Sequence, residues 1–220
     1  MPPRPVRWTD FEGLYALRAH RYEEIARDPG YGMVSNPTKP TPGEFASWFG
    51  EMHRAVLEGR RVCSVAEEAG RIVGMCSVVA EGTAVETRHV GVLGLEVLPE
   101  FRGRGLGEAL LAHALEACRG RFEAVDLSVI PANERAARLY RKLGFRIYGR
   151  RPKAFQRGGT YHDFILMLKP IDPLPSPSPT AEPPVRPPRT SRGRARDAVR
   201  ARRTGRSDRS RTDAKRPRSR

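Results

Sequence analysis

Residues 89–107 constrain the fold of this chain more than any other stretch, because a strand, a glycine-rich loop and a helix follow one another there. β-Branched and other apolar residues predict a strand over residues 90–98, which Pro99 ends because proline donates no ladder hydrogen bond. Apolar residues at helical spacing predict a helix over residues 106–118. Between the two lies a loop with glycine at alternate positions, namely Gly103, Gly105 and Gly107.

This loop has the properties of an anion site. Backbone N–H groups at glycine approach an anion without interference from Cβ, and the first N–H groups of the next helix face the same point. A pyrophosphate fits that arrangement. The Rossmann fingerprint is excluded because Glu108 stands where its third glycine belongs, and a Walker loop is excluded because no Gly-Lys-Ser/Thr follows.

A second informative stretch runs from Asn133 to Phe145. Asn133 is a favourable N-cap, and Ala136, Tyr140 and Leu143 share one helix face. Asn133 and Tyr140 lie two turns apart, about 10.5 Å, so both can line one groove. A capped amphipathic helix with a packed tyrosine also accounts for the pattern. The basic residues of this helix are expected in solvent, namely Arg135, Arg138, Arg141 and Lys142.

Together the two stretches resemble the coenzyme motifs of the GNAT superfamily of N-acetyltransferases, which use acetyl-CoA. The first motif, R-x-x-G-x-G, is matched by Arg102, Gly105 and Gly107, and the second, N-x-x-A-x-x-x-Y-x-x-x-G-F, begins at Asn133. Both stand in the order that the family has. The resemblance covers residues 5–169 and implies a mixed α/β fold, with a mostly antiparallel central sheet flanked by helices.

The resemblance also implies a role for each matching residue. The backbone of Leu95 to Val97 would pair with the pantetheine arm, and the Val97 N–H would donate to the thioester carbonyl. Asn133 would contact the coenzyme arm, and Tyr140 would stand near the sulfur as general acid. The pyrophosphate would be held by the loop and the start of the helix, namely Arg102, Gly103, Arg104, Gly105, Leu106 and Gly107.

An acetyltransferase of this kind moves the acetyl group to a primary amine of a protein or small molecule by direct attack in a ternary complex. A lysine-like acceptor has a pKa of about 10.4, so it needs a base or a water relay near neutral pH. Glu96 is the first candidate because it adjoins Val97, although a strand carboxylate that simply faces solvent is an equal alternative. Weaker candidates are Glu86, His89, His162 and Asp163. The remaining histidines are not clustered, so no metal is expected.

The whole chain predicts the order β-α-α-β-β-β-α-β-α-β-β. Two capping boxes, Thr9-x-x-Glu12 and Thr41-x-x-Glu44, open the first two helices. The resemblance implies an acceptor pocket built from residues 22–48 and 152–161, and it leaves the identity of the acceptor open. Strands are predicted over residues 6–8, 61–67, 71–80, 90–98, 124–129, 145–150 and 161–168.

Most of the positive charge lies near the C-terminal end. The chain has 220 residues and a net charge of +15, and residues 171–220 hold 15 Lys and Arg against 5 Asp and Glu, net +10. That tail has few large apolar residues, so we expect it to be disordered beside an acetyltransferase domain at residues 1–170. Basic blocks bind nucleic acid without reading its sequence, although a solvated extension without function explains the charge equally well.

Composition bounds the cellular setting. The chain has three cysteines with no C-x-x-C spacing, which favours a reducing cytoplasm. No apolar run reaches the roughly 18 residues of a membrane span, so no membrane contact is expected. The sequence leaves a homodimer open. The alternative to catalysis is a protein that senses acetyl-CoA without transferring it, or one that associates with nucleic acid through the tail.

Overall fold

A computed structural model of the protein describes residues 2–27, 38–82 and 84–171. The helices are α1 (Phe11–Arg27), α2 (Pro42–Leu57), α3 (Leu106–Ala117) and α4 (Glu134–Lys142). The strands are β1 (Arg4–Pro5), β2 (Arg61–Glu68), β3 (Arg71–Ala80), β4 (Val90–Val97), β5 (Ala124–Val129), β6 (Arg146–Arg157) and β7 (Thr160–Pro170). Short 3₁₀ turns at Trp8–Asp10 and Pro99–Phe101 precede α1 and α3.

The described strands form one sheet in the order β1-β2-β3-β4-β5-β7-β6. Every neighbouring pair is antiparallel except β4 and β5, which are parallel. Helices α1 and α2 pack on one face, where Leu17, Phe45 and Phe49 are buried, and α3 packs on the other through Leu110 and Leu111. The predicted α/β fold and the order of its elements are therefore confirmed.

The start of the chain differs from the prediction. The first strand is Arg4–Pro5 rather than residues 6–8, and Thr9 lies inside the 3₁₀ turn, so the predicted capping box at Thr9 is wrong. The carboxylate of Asp10 takes that place and accepts the Arg7 N–H at 2.7 Å. The second predicted box is confirmed, since the Glu44 N–H donates to Thr41 Oγ1 at 3.3 Å.

The last two strands are longer than predicted. β6 continues to Arg157 and meets β7 at a turn of Gly158 and Gly159, so residues 152–161 form a sheet edge rather than a loop. The prediction failed because Pro152 breaks the strand pattern. β6 is an edge strand with an irregular register between Arg151 and Phe155, and a proline is tolerated at such a place.

The predicted tail lies outside the described residues from 172 onward, so its disorder and the domain division stay predictions. Ile171 was assigned to the tail, but it packs against the core and donates its N–H to the Glu123 carbonyl at 2.8 Å. Residues 28–37, part of the predicted acceptor pocket, also lie outside the described residues. Within the described ranges, no helix combines the length and apolar character needed to cross a bilayer.

Candidate functional site

A cleft opens where the two parallel strands separate. β4 and β5 pair only between residues 90–92 and 124–126 and diverge beyond Val92. The cleft between them encloses about 360 Å³, and residues 95–97 line it on one side and residues 128–130 on the other. A groove between parallel strands requires that the ladder stop early, so the cleft follows directly from this short pairing.

The backbone of β4 turns hydrogen-bonding groups into the cleft. The Leu98 N–H donates to the Val73 carbonyl in β3 at 3.0 Å. Because alternate residues of a strand bond to opposite neighbours, Leu95 and Val97 direct their N–H and C=O groups away from β3, toward β5. The Val97 carbonyl accepts Nε of Arg102 at 2.8 Å. This geometry is the one that the predicted roles of Leu95 and Val97 require.

The glycine loop reaches the same cleft. Gly103 and Gly105 have φ angles of +81° and +80°, in the left-handed region that favours glycine, and Gly105 is the N-cap of α3. The first helical bond runs from the Ala109 N–H to the Gly105 carbonyl. The N–H groups of residues 106–108 therefore have no partner within α3, as an anion site requires. Gly103, Gly105 and Gly107 all line the cleft.

Two members of the predicted phosphate set have other surroundings. The guanidinium of Arg104 lies 5.6 Å from the ring centroid of Phe101. Leu106 is buried in the core, so its side chain packs and only its backbone N–H can serve an anion. Arg135 is exposed, as expected, and it also lines the cleft beside Gly103. A basic residue on the exposed side of a helix carries no signal that would have identified it.

Arg102 links the loop to the first helix. Besides its bond to Val97, its guanidinium is paired with Glu24 of α1, Nη2 lying 2.6 Å from Oε2. The charge that was expected to meet only a pyrophosphate is therefore shared with a carboxylate. Sequence reasoning missed Glu24 because 78 residues separate the partners.

Helix α4 supplies the opposite wall. Oδ1 of Asn133 accepts the Ala136 N–H at 3.2 Å, which confirms the predicted N-cap. Tyr140 is only 8% exposed, and its ring meets that of Phe145 edge-on at 5.8 Å between centroids. Asn133, Ala136 and Tyr140 line the cleft together with Val97, so the two sequence motifs meet at one site.

Glu96 is not a solvent-facing carboxylate. Arg21 of α1 holds both of its oxygens, with Nε 3.2 Å from Oε1 and Nη2 close to Oε2. The two side chains are 10% and 11% exposed, and both line the cleft. The partner was missed because it lies 75 residues away in the sequence.

The other candidate bases lie apart from this cleft. Glu86 and His89 are exposed in the turn before β4, and His162 stacks on Phe155 at 4.9 Å. The Lys153 N–H and the Arg150 guanidinium bind the Asp163 carboxylate and hold its pKa below the usual value. Among the described residues, no group of three or more His, Cys, Asp or Glu side chains could hold a metal ion.

Comparison with known proteins gives consistent similarities. The sequence profile described as the acetyltransferase (GNAT) family matches residues 14–145. Mycothiol acetyltransferase of Propionibacterium freudenreichii is 40% identical over 83 residues, 37% of this chain and 26% of its own length. The L-amino acid N-acetyltransferase AaaT of Escherichia coli is 32% identical over 83 residues, 37% of this chain and 51% of its own. The chain thus spans about a quarter and about half of these two relatives.

Another relative aligns over more of its length. The L-methionine sulfoximine/L-methionine sulfone acetyltransferase of Pseudomonas aeruginosa is 29% identical over 144 residues, 62% of this chain and 80% of its own. Among solved structures, that of yncA from Salmonella typhimurium with acetyl-CoA has a TM-score of 0.70 and 20% identity. It aligns over 81% of this chain and 98% of the other, a likeness that shows a shared fold.

Proposed function

Because the chain belongs to the GNAT family of acetyltransferases, we propose that it transfers an acetyl group from acetyl-CoA to a primary amine of a small molecule or protein. One observation carries the proposal. The glycine loop, the divergent backbone of β4 and the buried Tyr140 all line one cleft of about 360 Å³. An anion site and a narrow groove with aligned backbone donors are what a pyrophosphate with an extended arm needs.

The residues fit acetyl-CoA as follows. The loop N–H groups, the start of α3 and Arg135 bind the pyrophosphate, while Arg102 positions the loop through Glu24 and Val97. Leu95 and Val97 bind the pantetheine arm, and Asn133 contacts it from α4. Gly107 lines the cleft, and a Cβ there would make an ordinary contact with Leu139 Cδ2 at 3.5 Å, so only a longer side chain would fill this part of the cleft.

The bound coenzyme supplies an acetyl thioester, and two groups of the protein, the Val97 N–H and Tyr140, act on it during the transfer. The acceptor amine attacks the acetyl carbon directly, in a ternary complex. The Val97 N–H donates to the carbonyl oxygen, where negative charge develops as the new C–N bond forms. Tyr140 donates its proton to the departing sulfur as the C–S bond breaks.

The acceptor must lose a proton before or during the attack. Glu96 adjoins Val97, but Arg21 holds both of its oxygens, so direct contact with the amine would disturb that pair. We therefore assign Glu96 a water relay: its carboxylate binds a water molecule that takes the proton. The relatives named above support a small-molecule acceptor, since two of them are acetyltransferases of amino acids or amino-acid analogues by name.

The decisive measurement is the release of free thiol from acetyl-CoA against a panel of amines, amino acids and peptides. We expect the protein's own thiols to contribute little to this readout, because Cys63 and Cys118 are buried and burial raises the pKa of both to about 12. Burial likewise raises the pKa of Cys76. The three free thiols also fit the proposed cytoplasmic location. Coenzyme binding without turnover of any acceptor would instead identify a sensor of acetyl-CoA.

A further inference from the structure

Arg18 of α1 is a partly buried cation that has no carboxylate partner in the part of the chain that the structure describes. Its guanidinium lies over the ring of Trp48, 3.9 Å from the centroid, and 5.9 Å from that of Phe45. Among the described residues, no Asp or Glu oxygen lies within the 4.0 Å of an ion pair, and no acceptor hydrogen-bonds to the guanidinium. The stacking on Trp48 fixes the plane of the guanidinium but does not neutralise its charge.

The surroundings of Arg18 carry an excess of positive charge. Arg21, Glu96, Tyr22 and Arg61 all act on it electrostatically, and the phenol of Tyr22 is neutral near pH 7. Glu96 is the one carboxylate of this group, and Arg21 already holds both of its oxygens. Burial, together with Arg21, lowers the pKa of Arg18 to about 10, so it remains a cation at neutral pH.

Arg61 adds a second guanidinium that, within the described residues, has an unsatisfied hydrogen-bond donor. Its Nε is buried and has no hydrogen-bond partner within the described part of the chain. Burial also lowers the pKa of Arg61. A buried donor without an acceptor is costly, and so is a buried charge without a counter-ion. An anion bound between Arg18 and Arg61 would satisfy both requirements.

The register places this cluster on the face of the sheet that carries Glu96. Glu96 lies opposite Met75, and Met75 lies opposite Val65, so the three share one face of the sheet. Arg61 shares that face because it precedes Val65 by four residues on β2. On α1, Arg18 precedes Arg21 by three residues, which is about 4.5 Å along the helix axis. Arg18 therefore lies near Glu96, whose charge acts on it, on the α1 side of the strand that carries the Val97 N–H, and Arg61 lies on the same side, level with Val92 of β4.

We propose that Arg18 and Arg61 form a carboxylate subsite, so that the acceptor is a free amino acid held by its α-carboxylate. The proposal rests on the acetyltransferase function proposed above. A planar guanidinium binds a carboxylate through two parallel hydrogen bonds, and Trp48 holds Arg18 ready for that geometry. In an α-amino acid, the carboxylate and the amine share one carbon, so binding the first positions the second. Protein lysines and polyamines lack a carboxylate at that distance.

The test compares L-leucine with L-leucinamide, which differ only in the carboxylate. The wild-type enzyme should favour the acid by about 100-fold or more in kcat/KM, because the amide leaves a buried cation unpaired. Arg18→Met preserves packing on Trp48 but removes the charge, so the ratio of acid to amide should fall to about tenfold or less. Arg18→Lys should retain part of the preference. Arg54→Met is the matched control, since that arginine is exposed and pairs only with Glu51 among described residues, and its ratio should equal the wild type's.

Each outcome decides one question. The carboxylate subsite is overturned if the wild type turns over the acid and the amide equally, or if Arg18→Met loses activity toward both equally. In either case, release of free thiol still supports the acetyltransferase function. If no acceptor is turned over, calorimetric titration of L-leucine into the CoA-bound protein decides the subsite independently. Binding that Arg18→Met abolishes supports it, and absence of binding by the wild type overturns it. Circular dichroism of each variant verifies the fold.

Discussion

Gly105 and Gly107 of the glycine loop are required for different physical reasons. Gly105 has a φ of +80°, so any side chain there strains the backbone by about 1–2 kcal/mol. Gly107 has helical geometry, and a Cβ would make only ordinary contacts with Leu139, Leu95 and Val97 at 3.5–3.9 Å. Replacing both glycines together would therefore confuse strain in the loop with loss of the ligand.

A cleaner test uses Gly107 alone. Gly107→Leu keeps a good helix former at the start of α3 but fills the cleft, so acetyl-CoA affinity should fall about 100-fold. Gly107→Ala is the matched control and should keep both the fold and an affinity within a few-fold of the wild type. Calorimetry measures binding, and denaturant unfolding measures stability. Unchanged affinity in the leucine variant would show that the coenzyme lies elsewhere.

Tyr140 permits the sharpest test of catalysis. Tyr140→Phe keeps the ring packed on Phe145 and removes only the hydroxyl. If that hydroxyl protonates the sulfur, kcat should fall about 10²-fold or more while the affinity for acetyl-CoA changes little. Tyr148→Phe, at an exposed position on β6 outside the cleft, is the control and should leave kcat unchanged. A near-normal kcat for Tyr140→Phe would remove the tyrosine from the acid role.

Among the elements, the junction of β1 and α1 depends on one buried carboxylate. Asp10 is 6% exposed, accepts two bonds of 2.8 Å from Arg4 and one of 2.7 Å from the Arg7 N–H. Burial by itself would raise the pKa of Asp10, but Arg4 and Arg7 outweigh it and hold the pKa below its usual value. This junction positions α1, which supplies Arg18, Arg21 and Glu24.

Asp10→Asn should lower the free energy of unfolding by about 2 kcal/mol at pH 7. A carboxyl whose pKa is lowered by folding stabilises the protein above its unfolded pKa of about 3.9, and this stabilisation is lost as the pH falls through the folded pKa. The difference between wild type and variant should therefore shrink toward zero in acid. Thermal unfolding of both proteins at several pH values measures this difference in stability. Glu116→Gln, in an exposed pair with Arg119, should change stability by less than about 1 kcal/mol.

In the whole molecule, charge is divided unevenly between residues 1–170 and residues 171–220. Residues 171–220 carry net +10 of the chain's +15, which leaves +5 for the rest. Truncation belongs after Ile171, because that residue packs against the core. This uneven distribution of charge predicts that catalysis and nucleic-acid contact depend on different parts of the chain.

Full-length protein should bind duplex DNA with an affinity that falls steeply with salt, because several arginines release counter-ions from phosphates. Protein truncated after Ile171 should bind weakly but keep its melting temperature and its turnover of a small amine. Fluorescence anisotropy across a salt series measures binding. Equal salt-dependent binding by both forms would exclude the C-terminal segment as the nucleic-acid element.

The sequence alone determined the parts of this protein that obey local rules. Three alternate glycines between a β-branched run and a helical repeat predict an anion loop, and the N-cap at Asn133 with Tyr140 two turns later forms the second motif. These patterns are local because backbone conformation depends on neighbouring residues. The order of these patterns along the chain was sufficient to predict the fold and the family.

Tertiary structure alone decided how the charges are paired. Arg21 with Glu96 and Arg102 with Glu24 join residues 75 and 78 positions apart, and both change the role that each charge can take. Arg18 is distinguished from them only by what it lacks, a carboxylate partner among the described residues. Such pairing depends on which face each strand presents, and a register shift of one residue would reverse that face. No local sequence pattern predicts these ion pairs, because the partners meet only when the sheet and α1 have packed together.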